Sequence, residues 1–201
     1  RNGEYQQLND SLLQIENEFY SPIRPKQVTQ SGETPLHALT ERGIEYIEVR
    51  CVDVSPFSPV GMDAQQIRFM DTFLLYCLLE DSPACNDEEQ DCLASNMEAV
   101  VNRGREPGLS LSTCSGPRLL TDWANALLED MGDITNALDS AHASTAYGEP
   151  LREQSAKIAD SELTPAARVL REMREQGKPF FRLALSYSQR WAEHFRQRPL
   201  D

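Results

Sequence analysis

Ile44-Glu45-Tyr46-Ile47-Glu48-Val49-Arg50-Cys51-Val52 alternates apolar and polar side chains, the period-2 signature of a half-buried β-strand. Ile47, Val49 and Cys51 fall on one face; Tyr46, Glu48 and Arg50 fall on the other. Glu48 and Arg50 stand one pleat apart, about 7 Å at the usual rise per residue. On the strand alone, such a pair serves either a solvated sheet face or a binding site. Upstream, Leu13 to Tyr20 alternates in the same way, with Ile15, Asn17 and Phe19 opposite Glu16, Glu18 and Tyr20. Between the two, Ser21-Pro22-Ile23-Arg24-Pro25-Lys26 must be extended, because each proline excludes helix from its predecessor. Gly32 to Gly43 reads as a connection with a short helical turn at Pro35 to Thr40. Residues 11–60 therefore predict strands and their connections.

Residues 62–197 change to helical periodicity. Asp63 followed by Gln66 is a capping box, and Ile67, Met70, Leu74, Cys77 and Leu78 form an apolar stripe behind it. A second helix is expected over Asp87–Asn102 and a Ser/Gly-rich loop over Pro107–Pro117. Thr121 is placed to cap a helix running to about Leu138. Pro150 opens another to about Ala159. Thr164-Pro165 starts one that Gly177 stops. Pro179 opens the last, with Phe180, Phe181, Leu183, Leu185, Tyr187, Trp191 and Phe195 as its apolar content. The fold class is α+β: strands followed by a mostly helical region.

Composition narrows the function. A formal net charge of −13 over 201 residues argues against nucleic-acid binding, which needs clustered Lys and Arg. No apolar run reaches the ~20 residues of a membrane span. Neither an initiator Met nor a signal peptide opens the chain, as expected of a sequence that begins inside something longer. Five cysteines without CxxC spacing suit the reduced thiols of a cytoplasmic protein, although Cys85 and Cys92 flank an acidic run and could bridge. Glycine-rich phosphate loops, GxSxG and HExxH are all absent. The histidines, His37, His142 and His194, are scattered without metal-ligand spacing.

Two stretches carry a resemblance. Ile15-Glu16-Asn17-Glu18-Phe19-Tyr20-Ser21-Pro22-Ile23-Arg24-Pro25-Lys26 and Gly43-Ile44-Glu45-Tyr46-Ile47-Glu48-Val49-Arg50 resemble signature segments of the proteobacterial glutamate–cysteine ligases. The Ile-Glu-Val-Arg core also looks like glutamine synthetases. Pro56-Phe57-Ser58-Pro59 and Gln65-Gln66-Ile67-Arg68-Phe69 continue the likeness in register, and Ala167-Arg168-Val169-Leu170 extends it further along the chain. The resemblance implies the carboxyl-terminal part (residues 1–201) of a catalytic domain, with a piece of glutamine-synthetase-like antiparallel sheet and its helices. It also implies a reaction: ATP phosphorylates the γ-carboxylate of glutamate, and the amine of cysteine displaces phosphate to give γ-glutamylcysteine, the first step of glutathione synthesis. Glu48 would then be a magnesium ligand, Arg50 the cation that stabilises the transferring phosphoryl group, and Tyr20 a donor to the carboxylate of cysteine. Glu16, Glu18, Arg24 and Lys26 are further candidates for the wall of the site. Partners implied are glutamate, cysteine, ATP with Mg2+, and the amino-terminal part of the same enzyme, without which the chain should be inactive.

Two other readings stay open at this point. One is a carboxylate–amine ligase of the same fold with a different acceptor amine. The other is a non-catalytic helical interaction domain in which the strand motifs are coincidental.

Overall fold

The computed structural model describes residues 21–50 and 52–198. The chain divides into two compact units, Arg1–Val54 and Ser55–Asp201. The expected strand over Leu13–Tyr20 lies outside the described residues, as do Glu16, Glu18, Tyr20 and Cys51.

In the first unit, β1 (Ile23–Lys26) pairs antiparallel with β2 (Tyr46–Val49). The register sets Ile23 against Val49, Arg24 against Glu48, Pro25 against Ile47 and Lys26 against Tyr46. The Arg50 amide donates to the Pro22 carbonyl at 2.7 Å, so even-numbered residues of β1 turn their backbone polar groups toward β2. Pro25 is out of phase with them, and its protonless nitrogen removes nothing from this ladder. β2 is shorter than its alternating pattern, but the predicted division of faces holds.

The turn expected after Gly32 is a full helix, α1 (Pro35–Arg42). Thr34 caps it, accepting from the His37 amide at 3.2 Å, with Pro35 at the first helical position. Gly43 ends it at φ 75°, a left-handed conformation that glycine adopts without strain. Arg42 reaches back from the last turn to fork onto Glu33 at 2.8 and 2.7 Å. Ala38 is fully buried on this helix.

The second unit begins its helices with α2 (Ala64–Leu79), where both hydrogen bonds of the Asp63/Gln66 capping box form, at 2.9 and 3.0 Å. Met70 and Leu74 of the predicted stripe are half-buried, but the stripe does not hold at its ends. Thr72 is fully buried, Phe69, Phe73 and Tyr76 beside it are half-buried, and Ile67 and Leu78 are exposed. α3 (Asp87–Arg103) follows, capped by Asn86, with three acids in its first turn and Arg103 in its last, matching the helix dipole. The loop expected over Pro107–Pro117 instead contains a hairpin, β3 (Ser110–Thr113) and β4 (Gly116–Leu119). Asn96 fixes α3 to it, exchanging two 2.8 Å bonds with the backbone of Ser112.

The single helix expected from Thr121 to Leu138 is two: α4 (Leu120–Asp130) and α5 (Gly132–Ala141). Leu119, not Thr121, occupies the cap of α4. Met131, between them, is 1% exposed. α6 (Gly148–Ala159) starts two residues before Pro150. α2, α4, α5 and α6 pack on one another around Thr72, Met131, Thr135 and Pro150. The two threonine hydroxyls in that core donate to carbonyls of the preceding turn, Thr72 to Arg68 at 2.9 Å and Thr135 to Gly132 at 2.7 Å. A 3₁₀ turn at Ser161–Leu163 leads to α7 (Pro165–Gln176), capped by Thr164 and closed by Gly177, as its sequence predicts. α8 (Phe180–Arg196) completes the unit. Leu183 and Tyr187 are its buried residues, whereas Phe180 and Phe181 are largely exposed.

The chain is thus α+β, as predicted. Among the described residues no helix is long and apolar enough to cross a membrane.

Candidate functional site

The face of the β1–β2 ribbon nominated by the sequence is a cluster of charge. Register places Arg24 and Lys26 of β1 on the same face as Tyr46, Glu48 and, just beyond the end of β2, Arg50. Glu48 and Arg50 do meet: Arg50 Nε lies 2.9 Å from Oε1 of Glu48, and Nη2 donates to Oε2 at 3.0 Å. This is a bidentate fork, the pairing that the planar guanidinium makes best. Lys26 Nζ approaches the same Oε2 at 3.2 Å.

These contacts settle the protonation of the carboxylate. The hydrogen bond from Arg50, and after it the one from Lys26, hold Glu48 below the usual carboxylate range, against a smaller opposing effect of desolvation. Glu48 is therefore an anion at neutral pH. Its side chain is 36% exposed and that of Arg50 26%, so both remain within reach of a ligand from solvent.

Lys26, a further candidate from the sequence, makes a contact with Glu48 that a single strand could not reveal. Its cross-strand partner is Tyr46, and it reaches Glu48 diagonally, a distance that a four-carbon stem spans. Only the register of the two strands brings them together. Tyr20, Glu16 and Glu18 fall outside the described residues. Among the described residues there is no group of three or more His, Cys, Asp or Glu side chains able to hold a metal. Glu48 is an isolated oxygen donor there.

The second unit joins two other segments of the resemblance. The guanidinium of Arg168, on α7, stands 3.7 Å above the ring of Phe57. Phe57 packs edge-on against Tyr187 at 5.6 Å, and Trp191 Nε1 donates to the Pro56 carbonyl at 2.9 Å. Pro56-Phe57 and Ala167-Arg168 thus share a packing role. In the same unit residues 104–109, the start of α4, Lys157 and Thr164 line a cavity of about 350 Å³, which none of the nominated site residues lines. Cys77, Cys85, Cys92 and Cys114 are free thiols, so the bridge conceivable between Cys85 and Cys92 is not formed.

Comparison with known proteins follows the same residues. The family model for glutamate–cysteine ligase matches residues 1–100, which include β1 and β2. Glutamate–cysteine ligases of Pseudomonas paraeruginosa and Azotobacter vinelandii are 50% and 48% identical to this chain over 200 residues, all of its length and 38% of theirs. A crystal structure of glutamate–cysteine ligase from Francisella tularensis in complex with AMP superposes with a TM-score of 0.83 at 34% identity, over 97% of this chain and 38% of that one. A bifunctional glutathione synthetase from Pasteurella multocida, at 21% identity and a TM-score of 0.65 over 92% of this chain and 23% of its own, shares the fold. The chain spans 38% of the length of the curated relatives it matches. Its sequence kinship along the whole of that span, and the fold that accompanies it, make this chain a member of the glutamate–cysteine ligase family.

Proposed function

We propose that this chain supplies one wall of the active site of an ATP-dependent glutamate–cysteine ligase, the rest coming from the remaining length that its relatives carry. The observation that carries this reading is the Glu48–Arg50 fork on the face of β2, within the stretch that the family model matches. The AMP found in the Francisella tularensis relative supports an adenine nucleotide as substrate. An oxygen of the γ-carboxylate of glutamate attacks the terminal phosphorus of ATP, and ADP leaves. The neutral amine of cysteine then attacks the acyl carbon, phosphate leaves with the bonding electrons, and the nitrogen gives up one proton to phosphate or solvent to leave the amide.

The first step gathers anionic oxygens in one place, so fixed positive charge must be waiting there. Arg50 provides it: its guanidinium is always protonated, and its geometry is preset by the strand and by Glu48. Tyr20 donates a hydrogen bond from its phenol to the carboxylate of the cysteine substrate. Glu48, ionised and oxygen-bearing, fits one ligand of Mg2+, and the further ligands must come from beyond the described residues. When bound, such an ion neutralises phosphate oxygens. Free thiols and the use of ATP and reduced cysteine agree with a cytoplasmic enzyme.

The test is an assay of the chain joined to that remaining length. Cysteine-dependent phosphate release is expected, with Glu48→Gln and Arg50→Lys each lowering kcat/KM by about 100-fold or more. The isolated chain should turn over nothing. Release with a different amine and not with cysteine would reassign the acceptor. Full activity in both variants would remove Glu48 and Arg50 from the site.

A further inference from the structure

Glu48 is held by two cations of different kinds, and the difference carries an inference. Arg50 grips both carboxylate oxygens, from two nitrogens of one rigid group, at 2.9 and 3.0 Å. Lys26 makes one contact, at 3.2 Å, to an oxygen that Arg50 already occupies. Its side chain is 29% exposed and ends in a compact ammonium with three donors on a flexible stem. A single ion pair at this exposure contributes little net free energy, because water and salt compete for both ends. Lys26 can therefore leave Glu48 at small cost, while Arg50 cannot. Arg24 stands one register pair away on the same face, directly across from Glu48. In a chain of net charge −13, the two strands and the residue just beyond β2 offer three basic side chains and one carboxylate on this face, which favours a polyanion over a neutral ligand.

On the reading given above for this site, we infer that Lys26 is a nucleotide-binding residue, whose ammonium turns from Glu48 to the terminal phosphates of ATP when the nucleotide enters. In the absence of nucleotide, Glu48 parks that charge on the correct face of the sheet. Lys26 thus recognises the part of ATP that AMP lacks.

The experiment is a calorimetric comparison of ATP and AMP binding, each with magnesium, to the chain joined to the remaining length of its relatives. Lys26→Met is expected to weaken ATP about tenfold, the worth of one charge-assisted hydrogen bond, and to leave AMP unchanged. Lys26→Arg keeps the charge and should restore most of the ATP affinity. Equal ATP affinity in parent and Lys26→Met, with Arg50→Lys still weakened, overturns the role of Lys26 but leaves the ligase reading standing. If Arg50→Lys and Glu48→Gln also bind ATP and turn over normally, the reading of the site itself fails. Should Lys26→Met not fold, the Nζ resonance of Lys26 in the unaltered protein decides: it moves on adding ATP and not AMP, and an Nζ signal indifferent to both overturns the inference.

Discussion

Glu48 and Arg50, two positions apart on one strand, are joined by a bidentate fork rather than merely sharing a face, with Nε and Nη2 of Arg50 at 2.9 and 3.0 Å from the two carboxylate oxygens. Lys26 completes the clamp from the neighbouring strand at 3.2 Å. Arg50 is the larger cause of the lowered Glu48 pKa and Lys26 the second. The folded-state value lies below the unfolded one, so the carboxylate stabilises the fold above the ordinary carboxylate range. That contribution is lost as pH falls through the folded value. A carbon-detected NMR titration should show the Glu48 carboxyl protonating at lower pH than exposed glutamates. The midpoint should rise in Lys26→Met and rise further in Arg50→Met. The opposite order would mean that Lys26, not Arg50, sets the charge of this site.

Tyr187 makes a comparable pairing in the second unit, where its hydroxyl donates to the Glu172 carboxylate while its ring meets Phe57 edge-on. Burial first, and then this bond to Glu172, push the phenol up to about 12. A raised folded value means that the neutral phenol stabilises the fold fully below its ordinary pKa near 10. That stabilisation disappears as pH rises through about 12. In an absorbance titration of tyrosinate, a step near 12 is expected in the native protein and absent in Tyr187→Phe, while the step of Tyr76, which burial also raises, remains. The substitution should also cost about 1–2 kcal/mol in urea unfolding, because it leaves Glu172 with only its contact to Arg168. A melt unchanged at neutral pH would show the bond to be incidental.

How much of this was legible depended on whether the signal was local. Asp63 with Gln66, and Thr164-Pro165 with Gly177, marked helix ends because a cap is made by residues within one turn of each other. Glu48 and Arg50 were legible for the same reason, since alternation along one strand puts them on one face. Lys26 was legible only as a further candidate for the wall of the site; its contact with Glu48 was not, because that approach is set by the pairing of two strands. The hairpin over Ser110–Leu119 escaped notice because each strand is only four residues long and rich in Ser, Gly and Pro, which read as loop. The break at Met131–Gly132 was hidden by apolar periodicity that runs on through both helices.

Glu33 and Arg42 test whether the connection between β1 and α1 is held by charge. Arg42 forks onto Glu33 and also donates to the Val28 carbonyl at 2.9 Å, while the Gln30 amide donates to Glu33 at 2.9 Å. The hydrogen bond from Arg42, and then the one from Gln30, lower the carboxyl to about 2. Being depressed, it adds stability that is present above the unfolded value near 4.3. That addition is lost as pH falls toward about 2. In Arg42→Met the Glu33 titration should return most of the way to about 4, and the loss of thermal stability between these pH values should become shallower. A Glu33 midpoint unmoved by Arg42→Met would assign the shift to the Gln30 amide instead.

α2 shows where periodicity could find a helix but not orient it. Apolar side chains run almost all round it, so the stripe through Ile67, Met70, Leu74, Cys77 and Leu78 was as good a candidate for burial as the row through Phe69, Phe73 and Tyr76. The fold half-buries Met70 and Leu74 from the middle of the first together with the whole of the second, with Thr72 fully buried among them and the rings of Phe69 and Phe73 stacked at 6.4 Å. Ile67 and Leu78 remain 50% and 78% exposed. Ile67→Gln and Leu78→Gln should therefore each change the unfolding free energy by no more than about 0.5 kcal/mol. Phe73→Ala, which empties a half-buried ring site, should cost about 2 kcal/mol or more. The two glutamine substitutions should also reduce self-association of the isolated chain in light scattering, because exposed apolar side chains promote it. A cost for Ile67→Gln as large as that for Phe73→Ala would mean that α2 is turned the other way, with the predicted stripe against the core.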